Sequence, residues 1–372
     1  MAGKIVVIAP TFNEEENISA FVEEVSKHNV DLLVSDSHST DKTREIILKL
    51  QKNNKRLFFL DVKKRGLGLG LSEGLNYAID KLGAETLVTM EADLSNDPTR
   101  LPDFIQKIKT ADLVVGSRYA TGGGVQNWSW WRKLLSRAAN IILMILSLTF
   151  NIHEFTNLYR AFKKEVWLKI RPKVSVHTDW LFVPAFIFET LGTNFKIVEQ
   201  PYIFVDRFGG RSKMKTMSYA KELLHYALRY RLQKSASFLK FCVVGGIGFF
   251  INTTGLLVGV HFGLTPANAG AIGAEAAILS NFILNNFWTF SDRKLTSFKE
   301  MLWKFLQFNL LSFGSVIIQY TCLKVGELIF GLARYKSSSW YMVFYVGGVG
   351  LGLIWNYIMY SKVIWRKKPT SA

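Results

Sequence analysis

The chain has 372 residues, with 46 Lys and Arg against 29 Asp and Glu, a formal net charge of +17 and 14% aromatic residues. That length admits two or three domains, and the basic excess points to a polyanionic partner, whether nucleic acid, anionic lipid or a phosphorylated substrate. The aromatic content and the apolar crowding of the last third favour lipid, no recognised RNA or DNA motif is present, and the two cysteines, Cys242 and Cys322 in apolar runs, exclude a disulfide framework or a cysteine metal site.

The first residues, MAGKIVVIAPTFNEEEN, lack a signal peptide's basic start and long apolar core, so membrane insertion is expected from internal segments. KIVVIAP predicts a strand, followed by a polar turn and a helix around NISAFVEEVSKH. VDLLVSD and TREIILKLQKN repeat the scheme, and so do LFFLDV and GLSEGLNYAIDKL. ETLVTMEAD predicts a fourth strand and ADLVVGSRY a fifth. Such alternation argues for a mostly parallel sheet with helices on both faces, which binds ligands at the carboxyl ends of its strands. The polar clusters PTFNEEEN, SDSHSTDKT and EADLSND fall there.

Within these clusters Pro10 stiffens a turn and Glu14 is a polar reader at the strand's end. Asp36 and Asp41 suit hydrogen bonds from a sugar ring or base edge, but the same residues make Asx turns, and Asp41 also suits a helix cap. KKRGLGLGLSEG is no dinucleotide fingerprint, because its glycines alternate with leucines and do not follow the first strand. It leaves open a close backbone approach to a nucleotide sugar. Glu91 and Asp93 are two residues apart and share a face if the strand continues through them. Two like charges aimed the same way imply a shared cation, Mg²⁺ or Mn²⁺, which would neutralise a diphosphate leaving group. The plainer reading is two solvated loop acids.

Further on, Arg118 lies in GSRY and Arg132 in WWRK, while VDRFGGRSKM gathers Arg207, Arg211 and Lys213 around two glycines that could fold over a phosphate. A solvated basic face is the alternative. NWSWWRKLLSRAANIILMILSLTF and SYAKELLHYALRYRLQKSASF look like amphipathic helices lying on a bilayer, or else like surface helices packed on the sheet. Beyond them come four apolar spans, Phe238–Val260, Ala267–Trp288, Leu302–Val325 and Trp340–Lys362, each near the ~20 residues that cross a bilayer. Trp288, Trp303, Trp340 and Tyr341 flank them as an aromatic belt would. Charge this sparse disfavours a soluble helical domain. The basic connection SDRKLTSFKEMLWK and the basic tail put the N-terminal half, the middle loop and the C-terminus on the cytoplasmic side.

Taken together, PTFNEEENI, DSHSTDKT, EADLSNDP, GSRY and DRFGGRSKM resemble the inverting glycosyltransferases of family two with the GT-A fold. Within that family they are most similar to the dolichol-phosphate mannose synthases and their polyprenyl-phosphate glucosyl relatives. The last part, notably SNFILNNFWTFSD, resembles the four-span GtrA-type membrane domain. The resemblance implies an α/β GT-A (Rossmann-like) nucleotide-sugar-binding domain followed by an all-α four-helix transmembrane domain. The expected divisions are 1–213 catalytic, 214–236 amphipathic and interfacial, and 237–372 membrane-spanning. It further implies an integral, multi-pass membrane protein that moves mannose from GDP-mannose to dolichyl (polyprenyl) phosphate. Membrane lipid is an expected partner and nucleic acid is not. Mg²⁺ or Mn²⁺ would be held by Glu91, Asp93 and Ser95, and the nucleotide sugar by Pro10, Phe12, Glu14, Asp36, Glu91, Ala92 and Asp93. The acceptor phosphate would be held by Arg118, Arg132, Arg207 and Lys213, with Ser136 one helical turn after Arg132. Asp93 and those four cations would be the catalytic set.

This chain departs from the family pattern at Glu91, where the family has Asp, and at Ser37, which replaces the second Asp of its motif. The QxxRW mark of processive synthases is absent, which implies one sugar per cycle. The other readings are a UDP-glucose-dependent glucosyl transfer to the same lipid, a lipid-linked sugar flippase with a degenerate nucleotide-sugar domain, and a membrane-anchored nucleic-acid binder.

Overall fold

The structure, a computed structural model, describes residues 3–206, 216–331 and 340–366. The chain divides into two compact units, Met1–Arg231 and Leu232–Ala372.

In the first unit the five predicted strands are present as β1 (Ile5–Thr11), β2 (Asp31–Asp36), β3 (Leu57–Asp61), β4 (Thr86–Thr89) and β5 (Leu113–Ser117). Later come the short β6 (Gly124–Gln126), β7 (Arg160–Lys163), β8 (Ile197–Pro201) and β9 (Ile203–Val205). Among the described residues the main sheet runs in the order β3-β2-β1-β4-β7-β5-β8, with β6 and β9 pairing separately. β7 lies antiparallel between β4 and β5, and the other main-sheet pairs are parallel. β1 is apolar without alternation because both of its faces are covered. Val6 and Ile8 belong to one core, Val7 and Ala9 to the other.

The first core takes α3 (Leu67–Asp80), α6 (Lys164–Val174) and α7 (Phe182–Leu191), through residues such as Leu75, Trp167 and Phe186. The opposite core takes α1 (Ile18–Ser26), α2 (Thr43–Gln51) and α4 (Leu101–Lys107), through Phe21, Ile47 and Phe104. α5 (Trp130–Ser147) behaves differently. Its N-cap Ser129 Oγ accepts from Arg132 N, but only Asn140 and Leu143 are buried, and Trp130, Trp131, Leu134, Leu135, Ile142 and Ile145 are exposed. Leu143 reaches the first core with Met144 and Leu146 against it, while most of the apolar surface of that stretch stays open.

The second amphipathic stretch does pack. α8 (Thr216–His261) seats Leu223, Ala227 and Tyr230 in the first core, while Met217, Leu224, Leu228 and Leu232 stay exposed. The expected interfacial stretch and first span thus fall in one helix. The second unit continues with α9 (Pro266–Leu284), α10 (Phe298–Phe330) and α11 (Trp340–Met359). Among the described residues three helical stretches are long and apolar enough to cross a membrane: Met217–His261, Phe298–Phe330 and Val343–Ile364, which fall on the first, third and fourth of the expected spans. α9, a 19-residue helix, stands where the second span was expected, and several of its side chains lie outside the described residues. The unit's core is aromatic, built from Phe241, Phe282, Phe290, Phe308, Tyr360 and Trp365. Asn286 ties it together, accepting from Leu295 N (2.8 Å) and Trp365 Nε1 (2.9 Å) and donating to Leu295 O (3.1 Å).

Candidate active site

The carboxyl ends of β1, β2 and β4 open onto a pocket of about 320 Å³. Pro10, Phe12, Glu14, Glu91, Ala92 and Asp93 line it, so the structure brings these sequence-selected residues to one cavity. The acids do not reach it by strand alternation, because β4 ends at Thr89. Met90 N still bonds Ile8 O, after which the chain turns with Leu94 in the left-handed region (φ 64°). That turn places Ser95 Oγ 2.6 Å from Asp93 Oδ1 and 2.9 Å from Glu91 Oε2. Ser95 N also donates to Asp93 Oδ1, and Asn96 Oδ1 accepts from Glu91 N. The carboxylates converge on one hydroxyl, an all-oxygen donor set of the kind Mg²⁺ and Mn²⁺ accept. Among the described residues no third Asp, Glu, His or Cys joins a metal-sized group. The donor set therefore fits a cation that completes its shell with substrate phosphate or water, as these cations commonly do.

Asp36 corrects the expectation. It is 2% exposed and does not line the pocket. Its carboxylate accepts from Thr11 Oγ1, Ser39 N and Ser39 Oγ, so it ties the β1 and β2 loops together rather than offering itself to a sugar or base. Ser37 lines the pocket instead. Asp41 accepts from Thr43 N at the start of α2 and from Glu15 N. Partial burial would raise its pKa, but the bonds from Thr43 and Glu15 outweigh this and hold it below the usual carboxylate range. Glu14 faces the pocket while Oε2 accepts from Asn17 and its backbone N–H donates to Thr43 Oγ1.

Three lining residues escaped the sequence reading: Arg65, Asp179 and Trp180. Arg65 sits 4.3 Å over the Phe12 ring and is the one cation lining the pocket among the described residues. The other two are carried in by the glycine stretch. A Cβ on Gly66 would lie 2.3 Å from Thr178 O, and one on Gly68 would lie 2.2 Å from His177 O. Leu69 N donates to Thr178 O at that contact. These glycines admit the backbone of 177–179, and Gly66 also lines the pocket.

The acceptor-side residues form a second group. Arg118 was expected on a phosphate; instead its buried guanidinium holds the buried Glu154 through both arms (2.7 and 2.8 Å) and the half-buried Thr156 Oγ1 (2.8 Å). Burial opposes charge at both partners, but their mutual attraction and bonding prevail, so Arg118 is pushed up and Glu154 held down. Arg118 stands 5.4 Å from the Trp128 ring, and Arg132 stacks on that ring at 4.0 Å while bonding Asp206 (2.9 Å). Ser136 Oγ accepts from Tyr119 OH (2.6 Å). Trp128 Nε1 is buried with no acceptor among the described residues. Arg207 and Lys213, like Arg211, lie outside the described residues. A chain of contacts links the two groups: Asn96 Nδ2 donates to Tyr202 OH, Tyr202 meets Phe204, and Phe204 meets Trp128.

Residues 6–170 match the model for glycosyl transferase family 2, and residues 240–365 match that for the GtrA/DPMS transmembrane domain. The chain is 29% identical over 329 residues to a dolichol-phosphate mannosyltransferase of Pyrococcus furiosus, covering 85% of this chain and 89% of that one. It is 32% identical over 240 residues to a polyprenol monophosphomannose synthase of Mycolicibacterium smegmatis, covering 62% and 90%. Among solved structures, it is similar to glucosyl-3-phosphoglycerate synthase from Mycobacterium tuberculosis, in complex with Mn²⁺, UDP and glucosyl-3-phosphoglycerate. There the TM-score is 0.45 at 18% identity, over 62% of this chain and 80% of that one.

Proposed function

Because the chain belongs to glycosyl transferase family 2 and carries a GtrA/DPMS transmembrane domain, we propose that this membrane glycosyltransferase moves mannose from GDP-mannose to dolichyl or polyprenyl phosphate, with inversion. The observation that carries the reading is the meeting of Glu91 and Asp93 at one hydroxyl, in a pocket at the ends of three strands. The mannosyl and polyprenyl-phosphate assignments follow the names of the two relatives.

The acceptor phosphate has a second pKa near ~6 and is an anion at neutral pH. Its oxygen attacks the anomeric carbon, and the bond from that carbon to the diphosphate breaks, with the electron pair leaving on GDP. No general base is needed; the chain's task is to position two anions and offset their charge. Glu91 and Asp93, with Ser95, would hold Mg²⁺ or Mn²⁺, which supplies neutralisation of the departing diphosphate. Arg65 brings a fixed cation to the same pocket, with Phe12 packed beneath it. On the acceptor side we assign Arg132, Ser136 and the unpartnered Trp128 N–H to the lipid phosphate, together with Arg207 and Lys213. Arg118 holds Trp128 in place from its pair with Glu154. The basic loop between α9 and α10 supports a cytoplasmic catalytic unit.

The test is sugar transfer by the purified full-length chain in detergent. Dolichyl phosphate is offered with labelled GDP-mannose or labelled UDP-glucose, with and without EDTA. The expected product forms from GDP-mannose and disappears with EDTA. Transfer from UDP-glucose alone would make the chain a glucosyltransferase, and full activity in EDTA would remove the metal from the scheme. No transfer from either donor would leave a sugar-nucleotide-binding module.

A further inference from the structure

In the second unit, helices that are otherwise apolar turn polar side chains toward one another. α9 contributes Asn281, and Asn285 follows one turn later in the π-helical turn that continues it; α10 contributes Ser312, Ser315 and Gln319; α11 contributes Asn356. They line a cavity of about 290 Å³ whose remaining wall is apolar and aromatic. The side-chain oxygens of Asn281, Asn285 and Asn356 are all buried without a hydrogen-bond partner among the described residues. Asn356 has spent its amide nitrogen on Ser315 Oγ (3.2 Å), which leaves its oxygen as the unmet group. The contrast with Asn286 is direct, since both ends of that neighbouring amide are satisfied within the fold.

Room for these side chains is built in. A Cβ on Gly248 would lie 2.4 Å from Asn281 Oδ1, one on Gly348 would lie 3.0 Å from Gln319 Cα, and one on Gly352 would lie 3.0 Å from Ser315 Cβ. Hydrocarbon offers no donor to an unpaired amide oxygen, and polar groups inside membrane helices mark ligand sites. Unmet acceptors call for an occupant that donates hydrogen bonds. No charged side chain lines the cavity among the described residues, so nothing there neutralises a phosphate. Phe308 and Tyr360, stacked at 4.2 Å, add aromatic surface to the wall. Amide oxygens, hydroxyls and aromatic faces in a small cavity match a neutral ring rich in hydroxyl groups.

We propose that this cavity binds a neutral polyhydroxyl group, a sugar ring that is either free or carried on a lipid. The site is separate from the pocket at the sheet and does not depend on which donor that pocket takes.

The test uses the full chain in nanodiscs with an octyl mannoside bearing a diazirine at the head of its tail. Labelled peptides are read by mass spectrometry. The expected result is saturable labelling of peptides from α9, α10 and α11, lowered about tenfold by Asn285→Leu or Asn356→Leu, the loss of one hydrogen bond to the probe. These variants should unfold no earlier than the parent, because an apolar replacement removes an unmet acceptor. Competition identifies the source. Displacement by both methyl mannoside and octyl mannoside means a free sugar suffices; displacement by octyl mannoside alone means the sugar arrives on a lipid. Gln319→Leu, on the same wall, carries the test should a leucine variant fail to fold. Equal labelling by a diazirine-bearing octanol, or displacement by sodium chloride and not by sugar, would overturn the proposal in favour of an apolar crevice or a cation site.

Discussion

The Ser95 hydroxyl has one proton and two carboxylates within reach, so Asp93 and Glu91 cannot both accept from it at once. A cation in their midst would relieve that competition. Asp93 also takes Ser95 N–H and is the more enclosed of the two acids. We therefore expect Asp93→Ala to abolish sugar transfer and Glu91→Gln to reduce it less; equal losses would deny the two acids distinct roles. The Arg118–Glu154 pair makes a prediction about stability. Glu154 is fully buried and its pKa is held down: burial would raise it, but Arg118 and Thr156 overcome this. Its contribution is thus present above the unfolded carboxylate value of ~4.3 and is lost as pH falls through the lower folded value. Glu154→Gln strands a buried cation and should cost about 3–5 kcal/mol in denaturant unfolding at neutral pH. It should also flatten the acid limb of the stability profile; an unchanged midpoint would show the pair to be inert. Glu91 and Asp93 were legible because they are neighbours in sequence. Glu154 was not, because its partner is 36 positions away and the pair exists only once the ends of two elements meet.

At the scale of elements, strand and helix order was readable for the first five strands because each carries an unbroken apolar run. The antiparallel β7 was not readable. RAFK is short, and its place between β4 and β5 is set by neighbours remote in sequence. The end of β4 was misread for a related reason: alternation continues in the letters past Thr89, while Leu94 turns the backbone. The glycines at the start of α3 left a close backbone approach open in the sequence, and the 177–179 backbone makes one that no local pattern announces. Gly68→Ala should push the 177–179 segment away and move Asp179 and Trp180 off the pocket. We expect kcat/KM for the donor to fall roughly 10²-fold, the scale of a 1 Å misplacement. Gly83→Ala is the control, at φ 70° with nothing within 4 Å of its added Cβ. It should cost stability but not donor use, and equal kinetic losses in the two variants would reject the contact as the cause.

On the scale of the whole molecule, the change from sheet-forming to membrane-forming sequence was plain in composition, since charge thins out over the last third. What composition could not show was that α9 turns Asn281 toward a cavity inside the second unit. The first unit holds two cores of its own, one on each face of its sheet. A chain ending at Gln233 should therefore fold and retain transfer to dolichyl phosphate in detergent. If it binds GDP-mannose yet never transfers, the second unit supplies catalytic groups. The clasp at Asn286 has a consequence in time. Its partner Trp365 is 79 positions later, so at about 5–20 residues per second the ribosome delivers it roughly 4–16 s after Asn286. Until then Phe282, and Phe290 and Phe308 as they follow it, lack the indole that packs among them. A nascent chain stalled within that window presents an open aromatic seam, and the arrival of Trp365 closes it.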